Sequence, residues 1–217
     1  MKLKKVAALC SANRAFILFD ENRKGGEIRQ WLGDGYSIYL LSGLPLLDEN
    51  NVCAMFDIPE KKRKRCRSKR QPVSDKLNLE GWEQGERALD DEWPTVEYDG
   101  RIVKPLSTID GMTFIQDKYL APLEDIADYL RLFERVDADG NKYIVAKNGM
   151  EIAAIIMPVD IINEGFVEKL DSLAYKCRQA LEAKKEREYL KTVERMPGPL
   201  FRENAEAGEA VEEGAGE

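Results

Sequence analysis

The chain has 217 residues, 43% of them apolar and 34% charged, with a formal net charge of −7. That length allows one ordinary domain or two small ones, and no apolar run reaches the roughly 18–20 residues of a membrane span. The sequence contains no histidine, which excludes Ser-His-Asp and Cys-His catalysis, His-containing zinc sites and HExxH proteases.

Met1 to Cys10 begins like the basic start of a signal peptide, but Ser11, Asn13 and Arg14 end its apolar run too soon for an export signal. Ala15–Phe19 reads as a buried strand, and Asn22–Gly26 as a turn. Glu27–Leu32 reads as a second strand, which Gly33-Asp34-Gly35 reverses into a third over Tyr36–Leu41. Neither glycine pair has the spacing of a phosphate-binding loop. Asp48 is placed to cap a short helix that carries Val52, Met55 and Phe56 inward, with Pro59 ending it.

Eight of the ten residues from Lys61 to Arg70 are cations, and seven acids then fall between Glu80 and Glu97 against one base, Arg87. Like charges at that density resist packing, so residues 60–97 read as a long mobile connection or insertion. Trp82 and Trp93 within it read as anchors to a folded surface or to a partner. Strands return at Arg101–Leu106 and Met112–Gln116. Leu123–Phe133 reads as a helix with Glu124 and Asp125 in its first turn. Asp137–Asn141 is a turn, and Asn148-Gly149 joins Lys142–Lys147 to Met150–Met157 as a hairpin. Asn163 is placed to cap a long helix to about Leu190, with Phe166, Leu170, Leu173, Cys177 and Leu181 as an apolar stripe. That stripe reads as packing on the protein's own sheet, or as a coiled-coil seam. The Glu-, Ala- and Gly-rich residues 196–217 read as a disordered acidic tail.

These elements define an α+β protein of antiparallel β-hairpins each followed by a helix, ending in a long helix. The expected organisation is an N-terminal unit at 1–59, the charged segment at 60–97, a second unit at 98–195 and the tail, the two units being able to share one core. Trp31-Leu32-Gly33-Asp34-Gly35-Tyr36 and Phe114-Ile115-Gln116-Asp117-Lys118-Tyr119 match in residue type at several offsets, consistent either with internal duplication or with the shared local needs of hairpins that feed helices.

The candidate binding residues are Lys61, Lys62, Arg63, Lys64, Arg65, Arg67, Lys69 and Arg70, because clustered cations neutralise phosphates and release counterions without reading sequence. The run reads equally as a solvated loop offsetting the acids that follow, or as a nuclear import signal in a eukaryotic host. Cys66, among these cations, is the thiol most exposed to activation; the four cysteines include no CxxC pair and read as free. Asp137–Asn141 lacks the glycine and glutamate positions of an EF-hand loop. Asp90-Asp91-Glu92 and the group Glu124, Asp125 and Asp128 read first as solvated charge. No cofactor and no metal is expected.

The segments Ala15–Asp20, Gln30–Gly35, Leu44–Leu47 and Phe114–Leu123 resemble uncharacterised proteins from prophages of Gram-positive gut bacteria, over roughly residues 1–185. The resemblance implies a phage or mobile-element accessory protein acting in a bacterial cytoplasm, and it supplies no catalytic residues. The repeated hairpin-then-helix unit is also compatible with a sliding-clamp-like arrangement, by analogy of fold alone. Three functional expectations follow. The first is a non-enzymatic binder of DNA or RNA phosphates in replication or gene control. The second is an interaction module or inhibitor that meets a host protein through acidic surface. The third is a metal-dependent hydrolase using Asp117, Glu124 or Asp128.

Overall fold

The computed structural model describes residues 1–63, 65–90 and 93–195. It divides into a unit formed by Met1–Asp160 and a second from Ile161 onward. Both helices and strands are present, so the chain is α+β as expected.

The first unit opens with α1 (Leu3–Ala12), a helix where the sequence suggested only a failed export signal. Lys, Ala and Leu favour helix, and Val6 and Cys10, one turn apart, are buried. The chain then forms β1 (Ala15–Asn22), β2 (Ile28–Gly33) and β3 (Ser37–Leu40). The turn into β3 depends on two glycines. A Cβ on Gly33 would lie 1.9 Å from the Ser37 carbonyl oxygen, and Gly35 sits at φ +94°. Asp34 completes the turn by accepting the N–H groups of Tyr36 and Ser37, each at 2.9 Å.

In α2 (Glu49–Met55) the Asp48 carboxylate accepts the Asn51 N–H at 2.7 Å, as expected of its cap. Val52 is buried, whereas Met55 is exposed and its inward place is taken by Cys53. A single helical turn, α3 (Glu60–Arg63), leads to β4 (Arg67–Pro72), which pairs parallel to β1. The first part of the supposed mobile connection is therefore a strand of the sheet.

After β5 (Val96–Tyr98), β6 (Arg101–Thr108) and β7 (Gly111–Gln116) come two 3-10 segments, Asp117–Tyr119 and Ala121–Tyr129. Next are β8 (Leu130–Val136), β9 (Lys142–Asn148) and β10 (Glu151–Ile156). The helix expected over 123–133 is thus corrected at its second half. Leu130–Val136 pairs residue for residue with β9 across the Asp137–Asn141 turn, and cross-strand burial there outweighs local helical spacing. The hairpin at Asn148-Gly149 forms as expected, with Gly149 at φ +61°.

The strands make a seven-stranded sheet in the order β4-β1-β2-β3-β10-β9-β8 and a three-stranded sheet, β5-β6-β7. The β3–β10 pairing joins the two halves, and Val6, Leu18, Leu32, Leu106, Leu123, Ile144 and Ile156 share one core. The proposed duplicates diverge after their common aspartate: Asp34 opens a hairpin turn, and Asp117 opens a 3-10 turn.

Side-chain alternation gives the large sheet two unlike faces. Phe16, Leu18, Leu32, Tyr39, Ile144, Ala146 and Ile156 lie in the core that also holds α1, α2 and the 3-10 residues. The opposite face carries Trp31, Ile38, Leu40, Tyr143, Val145 and Ile155, against Val73, Leu77 and Leu79 from the strap that follows β4.

In the second unit, Asn163 caps α4 (Glu164–Arg195) by accepting the Phe166 N–H at 3.0 Å. Leu173, Cys177 and Leu181 of the expected stripe are exposed. Tyr175 and Tyr189 are exposed as well, and charged residues take over the seam from Lys184 onward. Among the described residues no helix is long and apolar enough to cross a membrane. The expected acidic tail at 196–217 lies outside the described residues.

Candidate nucleic-acid interface

The structure divides the basic run into three environments. Lys61 and Arg63 are on α3, Arg65 is in the following turn, and Arg67, Lys69 and Arg70 are on β4; all six are exposed. Lys64 and the Lys62 side chain lie outside the described residues. Arg63 turns back to donate from Nε to the Ile58 carbonyl at 3.0 Å.

Arg70 is part of the fold's own wiring. Its Nε donates to Asp20 Oδ2 at 2.7 Å, and Asp20 Oδ1 accepts from the buried Gln30 amide at 2.9 Å. That amide in turn donates to the Leu47 carbonyl at 2.9 Å and accepts the Leu47 N–H at 2.8 Å. The Arg70 side chain therefore ties the edge strand to β1, β2 and the entry to α2. Lys61, Arg65, Arg67 and Lys69 form no ion pair among the described residues.

β4 is an edge strand, and an unpaired edge invites another strand. The Arg67 and Val73 N–H groups both donate to the β1 side, at 2.8 Å to Arg14 and 2.9 Å to Asp20, so the alternate N–H groups face outward. Of those, Arg70 N–H is met by the Glu49 carboxylate at 2.9 Å, and Pro72 has none to offer. Two of the outward positions are thus closed to strand addition, and the edge presents side-chain charge there. Arg67 and Lys69 project to one face about 6.7 Å apart along the strand.

The expected anchors differ. Trp93 donates from its indole N–H to Ser107 Oγ on β6 at 2.8 Å, so it fastens the acidic segment to the small sheet. Trp82 is 61% exposed. The segment around them is tied down at several points: Leu89 N–H reaches the Leu132 carbonyl at 2.8 Å, and Ser107 N–H reaches that of Asp90 at 3.0 Å. It stitches β8 to β6 where free chain was expected.

Sequence reasoning missed the centre that holds this segment. Arg135 and Lys147, with 0% and 2% of their side chains exposed, lie on β8 and β9 and meet Glu86 of the strap. Glu86 Oε2 accepts Arg135 Nε at 3.0 Å and Nη2 at 2.6 Å, and Oε1 accepts Lys147 Nζ. Arg135 Nη1 donates to the carbonyls of Asn78 and Glu80 at 2.8 and 2.9 Å, and Lys147 to that of Gly81 at 2.8 Å. Lys147 also lies over the Phe133 ring, 4.1 Å from its centroid. Burial pushes the Glu86 carboxyl up, but the hydrogen bonds from Lys147 and Arg135 outweigh it and leave its pKa below the ordinary value. The bonds shown aim these cations at backbone and carboxylate of the same chain, so the group acts as a clamp.

Of the carboxylates considered for metal chemistry, Glu124 and Asp137 are similarly engaged, while Asp91 and Glu92 lie outside the described residues. Lys5 and Lys2 hydrogen-bond Glu124 and hold its pKa down at about 2. Asp137 accepts the N–H groups of Asp139 and Asn141 within its own turn, at 2.9 and 2.8 Å. Asp128 is exposed, and Asp117 is half-buried. Among the described residues no three Asp, Glu or Cys side chains converge to hold an ion. Cys10 is buried, and burial with the nearby Asp34 charge pushes its thiol pKa far up, which leaves it inert; Cys66 is half-buried.

Comparisons with protein-family models, with curated proteins and with solved structures find no match.

Proposed function

We propose that the chain is a non-enzymatic binding protein that contacts the phosphate backbone of DNA or RNA through Lys61, Arg65, Arg67 and Lys69. One observation carries this reading: these four cations are exposed and free of ion pairs among the described residues, whereas Arg70, Arg135, Lys142 and Lys147 are each engaged by carboxylates of the fold. A cation kept free of local carboxylates retains its full counterion atmosphere for a polyanion to displace. The net charge of −7 restricts contact to this strip and disfavours wrapping of a long duplex. The resemblance of the sequence to prophage proteins fits an accessory role in replication or gene control in a bacterial cytoplasm.

The test is fluorescence anisotropy with labelled single- and double-stranded DNA and RNA between about 50 and 200 mM salt. A variant with Lys61, Arg65, Arg67 and Lys69 changed to Gln is run alongside. Four single-strand phosphate contacts correspond to a log–log salt slope of about −3, which the variant should abolish. Absence of binding at the lowest salt overturns the reading. The second reading, a module that docks on a host protein, is favoured by the exposure of Trp82 beside the acidic segment.

A further inference from the structure

The strap that covers the second face of the large sheet does not cover all of it. Beyond Val73 and Leu77 it leaves a recess of about 460 Å³, floored by Phe19, Ile38 and Ile155 and walled by Met157. Such a volume is in the range of small-molecule sites, which are mostly apolar with a few polar groups that fix orientation. The lining here is likewise mainly apolar, and among the described residues its only charged member is Lys69. In a chain with 40 acidic residues, no Asp or Glu among the described residues lines this recess. Three other hollows on the first unit include carboxylates: Glu27 and Glu151, Asp117 and Glu124, and Asp20 and Asp75.

An apolar hollow with one cation and no anion selects by chemistry. Aliphatic chain is favoured by removal of its surface from water, at about 0.8 kcal/mol per CH₂. A terminal anion is favoured over a neutral or cationic group because Lys69 has no carboxylate of its own among the described residues. We infer that this recess is a binding site for a free, single-chain amphipathic anion, with the chain against Phe19, Ile38, Ile155 and Met157 and its carboxylate or equivalent at Lys69. A concave, strap-bounded hollow suits a single molecule from solution better than a lipid surface, which presents many headgroups at once. Lys69 belongs both to this recess and to the strip proposed for phosphate contact, but decanoate and decanol are read without nucleic acid, so failure here leaves that reading standing.

The probes are monomeric decanoate and decanol, titrated into the full-length chain and followed by amide chemical shifts and by displacement of 1-anilinonaphthalene-8-sulfonate. Decanoate should bind once per chain, shifting the amides of Phe19, Ile38 and Met157. Met157→Trp, which fills the hollow from its wall, should abolish binding of both probes while the thermal melt stays cooperative. Lys69→Gln should weaken decanoate about fivefold and leave decanol unchanged, the effect of one exposed charge pair. The shift map of the unsubstituted chain keeps the test valid should Met157→Trp fold poorly. The inference is overturned if decanoate causes no localised shifts, if Lys69→Gln weakens both probes equally, or if only anionic vesicles bind.

Discussion

The two faces of the seven-stranded sheet are covered in opposite ways. One face is sealed by side chains from α1, α2, β6, β7 and the 3-10 segments in a continuous apolar core. The other is crossed by a single strap, whose hold at the β8–β9 end is an ion cluster: Glu86 between Arg135 and Lys147, with three carbonyls of the strap accepting from the same cations. Apolar burial is non-directional and degrades gradually when perturbed. A buried ion cluster is directional, and losing one member leaves the others uncompensated. The two faces should therefore fail differently, the first by unfolding the domain and the second by releasing the strap.

The largest expected effect is at Arg135. Changing it to Met removes the partner of a buried carboxylate and of two carbonyls, at a cost of about 3–5 kcal/mol. Hydrogen exchange should then show the amides of Asn78 and Leu89, which donate to Tyr143 Oη and to the Leu132 carbonyl, losing protection ahead of the central strands. Leu32→Ala, of comparable cost at about 2–5 kcal/mol, should lower strap and strands together. If both variants erode protection uniformly, the distinction between the faces is wrong.

Acid should act on the same contrast with a smaller effect. The folded Glu86 carboxyl titrates below its ordinary value of 4.5, so its contribution is complete above that pH and is lost as pH falls through the folded value. Protection factors in the strap, corrected for intrinsic exchange rate, should decline with acidification from about pH 5, while that of Leu32 holds. Glu86→Gln should remove this pH dependence. Glu124, with a folded pKa of about 2, titrates in part of the same window but lies against α1, so residue-level exchange separates the two.

How much of this was readable from sequence follows from the range of the interactions. The hairpins at Gly33-Asp34-Gly35 and Asn148-Gly149, the Asp48 and Asn163 caps and the length of α4 all depend on neighbours within a few residues, and all were legible. The strand at Leu130–Val136 was misread because its apolar residues also fit a helix, and only pairing with β9 decides between them. The segment after Arg70 looked free because its charges seemed to have no partners, yet Glu86 finds its partners 49 and 61 residues away. One signal was present: Lys147 stands on the same alternating face of β9 as Tyr143 and Val145, a cation at the end of an otherwise apolar strand face, and Arg135 shares its face of β8 with Phe133. Within the basic run, sequence could not tell Arg70 from Lys69, because the distinction is made by Asp20 and Gln30.

That distinction supplies the smallest and sharpest comparison. Surface substitutions away from such features usually change stability by no more than about 0.5 kcal/mol. The Gln variant at Lys61, Arg65, Arg67 and Lys69 should therefore melt close to the unsubstituted chain. Arg70→Gln alone should cost about 1–2 kcal/mol, since it removes a charge-assisted hydrogen bond at Asp20 in a partly exposed setting. Chemical denaturation of the two proteins measures both. A quadruple variant as destabilised as Arg70→Gln would mean that the four cations are held by the fold after all, and that the strip is structural along its whole length. A stable quadruple variant beside a weakened Arg70→Gln places the division between charge the fold does not need and framework charge at a single step along β4, between Lys69 and Arg70.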